Sequence, residues 1–318
     1  MDDEDEFTTV LESFMFTKRL KSGRTVVESF AERFSGEKRA LLLSWTDYVV
    51  GVFESKEWHG DDGFVAVNHV DELTYLIRSN MGPKGIKPFI PGSVMVGGIL
   101  PIGDEWMLSG TSTLFSPVDA PAALEAVRDF QMANPKMVFR NPGKLARARE
   151  MQARQRDSFI DLFGGDLIVV PSDKVEERML ALYRHDYERA GSQGGPWTDP
   201  GLPSFGFDAD DVLGVIYDEE DGLGMYRDFD VAQEVFADPA LIIRRRYREV
   251  IKAYLRGDDV TPVPLRRLAA QDPAKTDQLF RKLLKKPDFL CERDGEALLR
   301  EHKPGWFASP PLPTIIPV

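Results

Sequence analysis

The spacing of apolar residues changes between Tyr48 and Phe115, and this change constrains the fold more than any other feature of the sequence. Five short apolar runs follow one another there, separated by turn residues; they read DYVVGVFESKEW, FVAVNHV, ELTYLIRSN, GSVMVGGILPI and DEWMLSGTSTLF. Runs of this length, bounded by Gly, Asp and Pro, are typical of β-strands. Consecutive strands with no room for a helix between them favour a small, strongly curved sheet. We therefore predict a small five-stranded antiparallel β-barrel in this window.

The rest of the chain has the apolar spacing of helices. The predicted fold class is α+β: the barrel with flanking helices, followed by a mainly helical C-terminal half. The main domain boundary is placed in the segment GSQGGPWTDPGLPSFG, because its Gly and Pro content is typical of a linker. The predicted divisions are a disordered acidic tail at 1–6, helices plus barrel at 7–117, a helical segment with one short strand at 118–190, a linker at 191–207, a helical domain at 208–307 and a proline-rich tail at 308–318.

Composition excludes several classes of protein. The 318 residues contain no apolar run near the roughly 20 residues that a membrane helix requires. The N-terminal MDDEDEF is acidic, whereas a secretory signal begins with basic and then apolar residues. The single cysteine, Cys291, cannot form an internal disulfide or a zinc site of several cysteines. We therefore predict a cytosolic protein with no membrane partner and no cofactor.

Charge is distributed unevenly along the chain, which has a net charge of −12. Residues 199–238 include twelve acidic residues and one basic residue, Arg227, whereas residues 241–303 include sixteen Lys and Arg against ten Asp and Glu. Either the two segments pair, within one molecule or between copies, or the basic segment binds a polyanion. Pairing is favoured because it needs no further partner. A protein partner and nucleic acid both stay open, and the net negative charge disfavours nucleic acid.

An acidic run within residues 208–221 raises the question of a cation site. Placing Gly222 at the sharp turn of a calcium loop puts two carboxylates at ligand positions and one at the closing position. Tyr217 then occupies the first ligand position, where a carboxylate is required, so a solvated turn is the favoured interpretation. The candidate metal ligands are Asp218, Glu219, Asp221 and Asp228.

The basic segment begins with a predicted amphipathic helix whose exposed face is rich in arginine. Arginine with interleaved tyrosine, here Tyr247, suits contacts to phosphate and stacking on bases. It equally suits ion pairs with the acidic segment that precedes it. The candidate polyanion-binding residues are Arg244, Arg245, Arg248 and Lys252.

No catalytic residue is predicted. None of the four histidines has another ligand at metal-binding spacing, and the sequence lacks HExxH, GxSxG and GxxxxGK[ST] motifs. The leading prediction is a non-enzymatic binding or adaptor protein built on the barrel. The alternatives are a divalent-cation-dependent hydrolase or transferase that uses the carboxylates of 208–221, and a nucleic-acid-binding protein that uses 241–303.

Two blocks of the sequence resemble a group of uncharacterised bacterial proteins. The first comprises LLLSWTDYVVGVFES, ELTYLIRSNMG and PIGDEWMLSG; the second comprises DEEDGLGMYRDFDVAQEVFADP, YLRGDDVTPVPLRRLA and FRKLLKKPDF. In that group a small β-barrel region often accompanies a C-terminal cysteine-rich zinc motif of the SEC-C type. The resemblance implies a bacterial, cytosolic protein. Because Cys291 is alone, this chain lacks the zinc motif, and no role of zinc is implied for it.

Overall fold

The computed structural model describes residues 11–12, 14–20, 22–189, 191, 196–202, 205–309 and 311–317. Within them the strands are β1 Val49–His59, β2 Gly63–Asn68, β3 Thr74–Arg78, β4 Val94–Ile102, β5 Glu105–Phe115, β6 Leu167–Pro171, β7 Val212–Asp218 and β8 Gly222–Tyr226. The α+β class predicted from the sequence is confirmed. The predicted acidic tail at 1–6 lies outside the described residues.

Among the described residues, helices with defined ends lie before, between and after the strands. In chain order they are α1 Val26–Ala31, α2 Gly36–Ser44, α3 Pro83–Ile86, α4 Ala120–Glu125, α5 Val127–Ala133, α6 Pro135–Val138, α7 Pro142–Phe163, α8 Val175–Arg189, α9 Phe229–Ala237, α10 Arg245–Arg256, α11 Val263–Gln271, α12 Pro273–Leu284, α13 Cys291–His302 and α14 Pro304–Ala308. Short 3-10 helices lie at Trp45–Asp47, Ser172–Lys174 and Pro239–Ile243. No helix in the described part of the chain has the length and apolar character needed to cross a membrane.

The first five strands form one sheet whose hydrogen-bonded order, β1-β2-β3-β5-β4, returns to β1. All pairs are antiparallel except β3 and β5, which run parallel through Ile77–Trp106 and Arg78–Met107. The predicted all-antiparallel pairing is therefore wrong at one place. The reason is geometric: an odd number of strands cannot alternate in direction around a closed ring, so one neighbouring pair must be parallel.

Aromatic and aliphatic side chains fill the interior of this sheet. Alternate residues of the strands point inward because side chains in a strand alternate between its two faces. Phe53, Phe64 and Ile77 are fully buried there. Phe89, from the connection between β3 and β4, stacks on Phe64 with the ring centroids 4.5 Å apart. That connection contains the one-turn helix α3, so the expectation of no helix between strands is wrong here.

Backbone contacts divide the chain into two compact units, the first ending at Ala146 and the second running from Arg147 to Pro317. We call them unit 1 and unit 2. The division falls within α7 rather than in the predicted linker at 191–207. Strands from both sides of that linker belong to one sheet of order β6-β7-β8, because β6 pairs with β7 from Leu167–Ile216 to Pro171–Val212. No local residue pattern indicates this long-range pairing.

The core of unit 2 lies between this sheet and its helices. Phe229, at the start of α9, is fully buried, and its ring occupies the space where a side chain at Gly214 of β7 would lie. The predicted helical domain at 208–307 thus contains a β-hairpin, β7 and β8, that the helical spacing of its neighbours did not indicate. Helices α9 to α13 supply most of the remaining core residues.

Candidate functional site

The acidic run predicted as a cation site lies at the turn between β7 and β8, in unit 2. Asp218 closes the turn itself, because its Oδ1 accepts hydrogen bonds from the backbone N–H groups of Glu220 at 2.9 Å and Asp221 at 3.0 Å. The buried amide of Gln152 holds the turn from behind, since its Nε2 donates to the carbonyl oxygens of Glu219 and Glu220, each at 3.2 Å. The turn is therefore a fixed structure that presents Glu219 and Glu220 to solvent.

Asp221 is held by a tryptophan. The indole Nε1 of Trp306 donates to both carboxylate oxygens, at 3.2 and 3.1 Å. Burial raises the pKa of Asp221, while hydrogen bonds from Thr261 and Trp306 act in the opposite direction. The carboxylate that was predicted to bind a cation is thus engaged in fixing α14 to the hairpin.

Asp228 lies far from the turn. It follows β8, at the end of the hairpin where β8 pairs with the start of β7, in a left-handed conformation with φ of 51°. Its carboxylate lies 3.9 Å from the guanidinium of Arg246. Within the described residues no three His, Cys, Asp or Glu side chains are arranged to hold a metal ion. The predicted set Asp218, Glu219, Asp221 and Asp228 is therefore not assembled, because the first three lie at the turn of the hairpin and Asp228, after β8, lies at its other end.

The predicted polyanion-binding residues lie on and just before α10. Arg244 precedes the helix, and Arg245 is its first residue. Arg248 and Lys252 approach the carboxylate of Glu249 at 3.8 and 3.2 Å. Neither Arg244 nor Arg245 forms an ion pair within the described residues. The structure thus brings these four cations together on one exposed surface.

The favoured pairing of the acidic and basic segments is wrong for the intramolecular case. Across the described parts of residues 199–238 and 241–303, one ion pair joins the two segments, Asp228 with Arg246. The other ion pairs of the basic segment are formed with carboxylates of the same segment or with carboxylates outside both segments; Arg266, for example, pairs with Glu296 and Arg267 with Asp166. The two segments follow each other in the sequence, but most of their charged side chains do not meet, because the helices direct these side chains to different faces.

A groove that the sequence did not predict lies between α11, α12 and α13. Its volume is about 560 Å³. The apolar part of its lining is made by Leu265, Ala269, Phe280, Phe289, Leu298 and Leu299, and Gly295 and Ala270 leave it open. Its exposed polar residues are Arg266, Glu292 and Glu296. In the sequence these apolar residues have the spacing of core-facing helices, and small residues such as Ala270 and Gly295 are the only signal that room is left between them.

A second, polar cavity of about 440 Å³ adjoins this groove. It is lined by Asp218, Glu219, Glu220, Val263, Arg266, Arg267 and Trp306. Arg266 lines both cavities and separates them. Its guanidinium donates to both carboxylate oxygens of Glu296 at 3.0 Å and lies 4.9 Å from the centre of the Trp306 ring. The acidic turn and the apolar groove are therefore parts of one surface.

Negative charge dominates this surface. Arg266 and Arg267 are neutralised by Glu296 and Asp166. Glu219, Glu220 and Glu292 are exposed and form no ion pair within the described residues. Carboxylates without partners beside an apolar groove favour a ligand that is both apolar and positively charged.

Cys291 lines the groove, but its thiol is poorly suited to nucleophilic chemistry. Burial raises the pKa of its thiol, and the nearby carboxylate of Asp277 adds to the shift. A thiol with a raised pKa is protonated at neutral pH and is a weak nucleophile. No histidine lines the groove. The arrangement of the lining residues therefore suits non-covalent binding.

Comparison of the chain with models of known protein families, with curated proteins and with solved structures finds no match. The resemblance to bacterial proteins with a small β-barrel region thus stays a prediction.

Proposed function

We propose that this chain is a non-enzymatic binding or adaptor protein. Its closed five-stranded sheet is a small β-barrel that serves as a scaffold. The groove between α11, α12 and α13 takes a short amphipathic, positively charged segment of a partner protein. The observation that carries this proposal is the apolar groove of about 560 Å³ beside carboxylates that have no ion-pair partner in the described part of the chain.

The dimensions of the groove support a segment of protein as the ligand. Ligand pockets are typically about 300–1,000 Å³, mainly apolar, with a few polar groups that fix orientation. An amphipathic helix binds in such a groove through side chains spaced by three or four residues. Phe280 and Phe289 supply aromatic surface to the lining of this groove.

The carboxylates at the groove support a partner that is positively charged. Glu292 lies at the groove, and Glu219 and Glu220 line the adjoining cavity. Lysine or arginine side chains on the polar face of a bound helix would meet these carboxylates. Charges at the rim of an interface mainly determine specificity and the rate of association. We therefore expect the apolar contacts to supply affinity and the carboxylates to select a basic partner.

The enzymatic alternative is less well supported. A divalent-cation-dependent hydrolase needs several carboxylates around one ion, and the four predicted ligands are divided between the turn of the hairpin and its other end, where Asp228 lies. The proposed location is the bacterial cytosol. The single cysteine supports this location, as does the resemblance of the two sequence blocks.

The proposal is tested with a synthetic peptide in which leucine and lysine repeat with helical spacing. Binding is followed by fluorescence anisotropy of the labelled peptide with the full chain. In parallel, the rate at which a disulfide reagent modifies Cys291 reports on the groove, because Cys291 is the only cysteine of the chain. We expect saturable binding that slows the modification of Cys291, and no binding of a matched leucine–glutamate peptide.

Two variants and one control assign the binding to the groove. Ala270→Trp places a large ring at the exposed edge of the groove, and Glu292→Lys reverses an unpaired charge beside it; each is expected to weaken peptide binding at least roughly tenfold, equivalent to about 1.4 kcal/mol. Glu301→Lys makes the same charge change at an exposed position of α13 that does not line the groove. Absence of peptide binding, or equal effects of Glu301→Lys and Glu292→Lys, contradicts the proposal.

A further inference from the structure

The exposed side of α10 carries a line of positive charges that the proposed groove does not use. Residues 245, 248, 252 and 256 recur at intervals of three and four, so they lie along one side of the helix. They are Arg245, Arg248, Lys252 and Arg256, all exposed or partly exposed. At 1.5 Å per residue they extend over about 16 Å. Glu249 is the one carboxylate of α10 beside them.

Positive charge is concentrated at the beginning of this helix. Arg244, Arg245 and Arg246 occupy the N-cap and first turn, where no acidic residue is present and no side chain caps the backbone N–H groups. Cations are unfavourable at a helix N-terminus, because the macrodipole is positive there. Local sequence that opposes local structure is expected where residues serve binding.

The carboxylates packed near this end leave two arginines without an ion pair in the described part of the chain. Asp228 lies 3.9 Å from Arg246, and Glu234 accepts a hydrogen bond of 2.6 Å from the hydroxyl of Tyr247. Arg244 and Arg245 have no such partner within the described residues. Free guanidinium groups, with uncapped helix N–H groups beside them, point to an anionic ligand.

The apolar side of α10 argues against a membrane. A helix that binds a bilayer inserts its apolar face among the lipids. In α10 that face consists of Val250, Ile251, Tyr254 and Leu255, which are already buried in the core of unit 2. The surface left for a ligand includes the cations, Glu249 beside them, and Ile243, which is 75% exposed directly before Arg244.

We propose that this side of α10 binds single-stranded nucleic acid through its phosphodiester backbone. An extended strand presents its phosphates along a line, as α10 presents its cations, whereas the backbone of a duplex curves away. Arginine suits phosphate because its planar guanidinium can donate two hydrogen bonds to one group. At the end of the line, Ile243 offers an apolar surface to an unstacked base. The contacts carry no base-specific readout.

The test measures anisotropy of a labelled oligo(dT) of about 20 nucleotides with the full chain, in about 50 and 200 mM salt. Four phosphate contacts on a single strand give a slope of about −2.8 in the logarithmic salt dependence, so affinity is expected to fall roughly 50-fold between these concentrations. The variant R245Q/R248Q/K252Q removes three of the contacts and is expected to reduce binding at low salt by more than roughly tenfold.

Two comparisons make the result specific. K38Q/R39Q/R178Q changes the net charge equally at exposed positions outside the sequence of α10 and is expected to bind like the unmodified chain. A duplex of the same length and vesicles containing phosphatidylserine provide the competing ligands. The proposal is overturned if the full chain shows no salt-dependent binding, if the control variant loses as much affinity as R245Q/R248Q/K252Q, or if duplex or vesicles bind more tightly than the single strand.

Discussion

At the scale of single residues, the buried carboxyl of Asp71 in unit 1 is held by its neighbours. Its Oδ2 accepts a hydrogen bond of 2.6 Å from the hydroxyl of Tyr75, and its Oδ1 accepts one of 2.9 Å from the N–H of Leu73. Asp71 is fully inaccessible to solvent. Burial raises its pKa, and the hydrogen bond from Tyr75 partly opposes that shift. A buried carboxyl is tolerated because its partners replace water.

Removing the Tyr75 hydroxyl tests this arrangement. Tyr75→Phe is expected to lower the free energy of unfolding by about 1–3 kcal/mol at neutral pH, because a buried acceptor loses its donor. The measurement is denaturant unfolding followed by circular dichroism. Tyr247→Phe removes a hydroxyl whose partner, Glu234, is exposed, so its effect is expected to be much smaller. Equal effects of the two substitutions would show that the Asp71–Tyr75 bond contributes nothing special.

The same pair predicts a pH dependence with a definite sign. Because the pKa of Asp71 is raised in the folded state, its contribution favours folding at low pH and is lost as the pH rises through the folded-state pKa. Tyr75→Phe raises that pKa further. The difference in unfolding free energy between Tyr75→Phe and the unmodified chain should therefore shrink as the pH falls below the pKa. A difference that grows on acidification contradicts this assignment.

At the scale of elements, β1 is shaped by what lies beside its glycine. A Cβ atom at Gly51 would overlap the buried amide of Asn68, at the end of β2. That amide oxygen accepts hydrogen bonds of 3.1 Å from the N–H groups of Val52 and Val70. Asn68 thus joins β1 to the β2–β3 turn at a point where β1 can have no side chain.

Gly51→Ala is accordingly expected to destabilise the protein by about 1–3 kcal/mol, the usual cost of excess volume in a packed interior. Thermal or denaturant unfolding measures it. Gly165→Ala is the matched control, because nothing lies within 4 Å of a Cβ atom built at Gly165. If Gly51→Ala is no more harmful than Gly165→Ala, the amide of Asn68 can move aside and does not fix the strand.

Elements could be predicted from the sequence where local signals determine them. Helix α1 begins with a capping box, which the residue types Thr25 and Glu28 indicate at this spacing. The Glu28 N–H donates to the Thr25 hydroxyl, and the Thr25 N–H donates to the Glu28 carboxylate. The five runs of residues 48–115 became β1 to β5 for the same local reason. The hairpin of β7 and β8 was missed because an acidic turn between apolar residues fits several structures, and its partner β6 is distant in sequence.

At the scale of the whole molecule, the acidic segment 199–238 and the basic segment 241–303 remain largely unpaired with one another. The net charge is −12, and one ion pair joins the described parts of the acidic and basic segments. The cations of α10 are therefore not required to neutralise the acidic segment. At physiological ionic strength charges act over about 8 Å. The cations of α10 can therefore attract an anion that comes close to them, although the net charge of the protein is negative.

This separation predicts that the α10 cations contribute little to stability. R245Q/R248Q/K252Q is expected to change the free energy of unfolding by less than about 1 kcal/mol, since exposed ion pairs such as Arg248–Glu249 are worth little. Relief of repulsion at the helix N-terminus acts in the stabilising direction. Denaturant unfolding measures the change, and a loss of several kcal/mol would mean that these cations do pair with the acidic segment.

The candidate site shows how far residue types alone lead. The exposed cations Arg244, Arg245, Arg248 and Lys252 could be predicted from the sequence, because an amphipathic helix exposes its polar face wherever its apolar face is buried. The groove could not be predicted in this way, since the sequence positions of Phe280 and Leu298 are the same whether their side chains touch or leave a space between them. Only packing, which depends on helix positions set by the whole of unit 2, decides between the two.

The sequence by itself determined the fold class, the position of most strands and the charge of each segment. These follow from the periodicity of apolar residues and from residue types, which are local properties. The tertiary structure alone decided that β3 runs parallel to β5, that β6 pairs across residues 191–207, and that Asp228 lies away from Asp218. Each of these depends on which distant segments meet, and that choice is made by the burial of apolar surface over a whole unit rather than by neighbours in sequence.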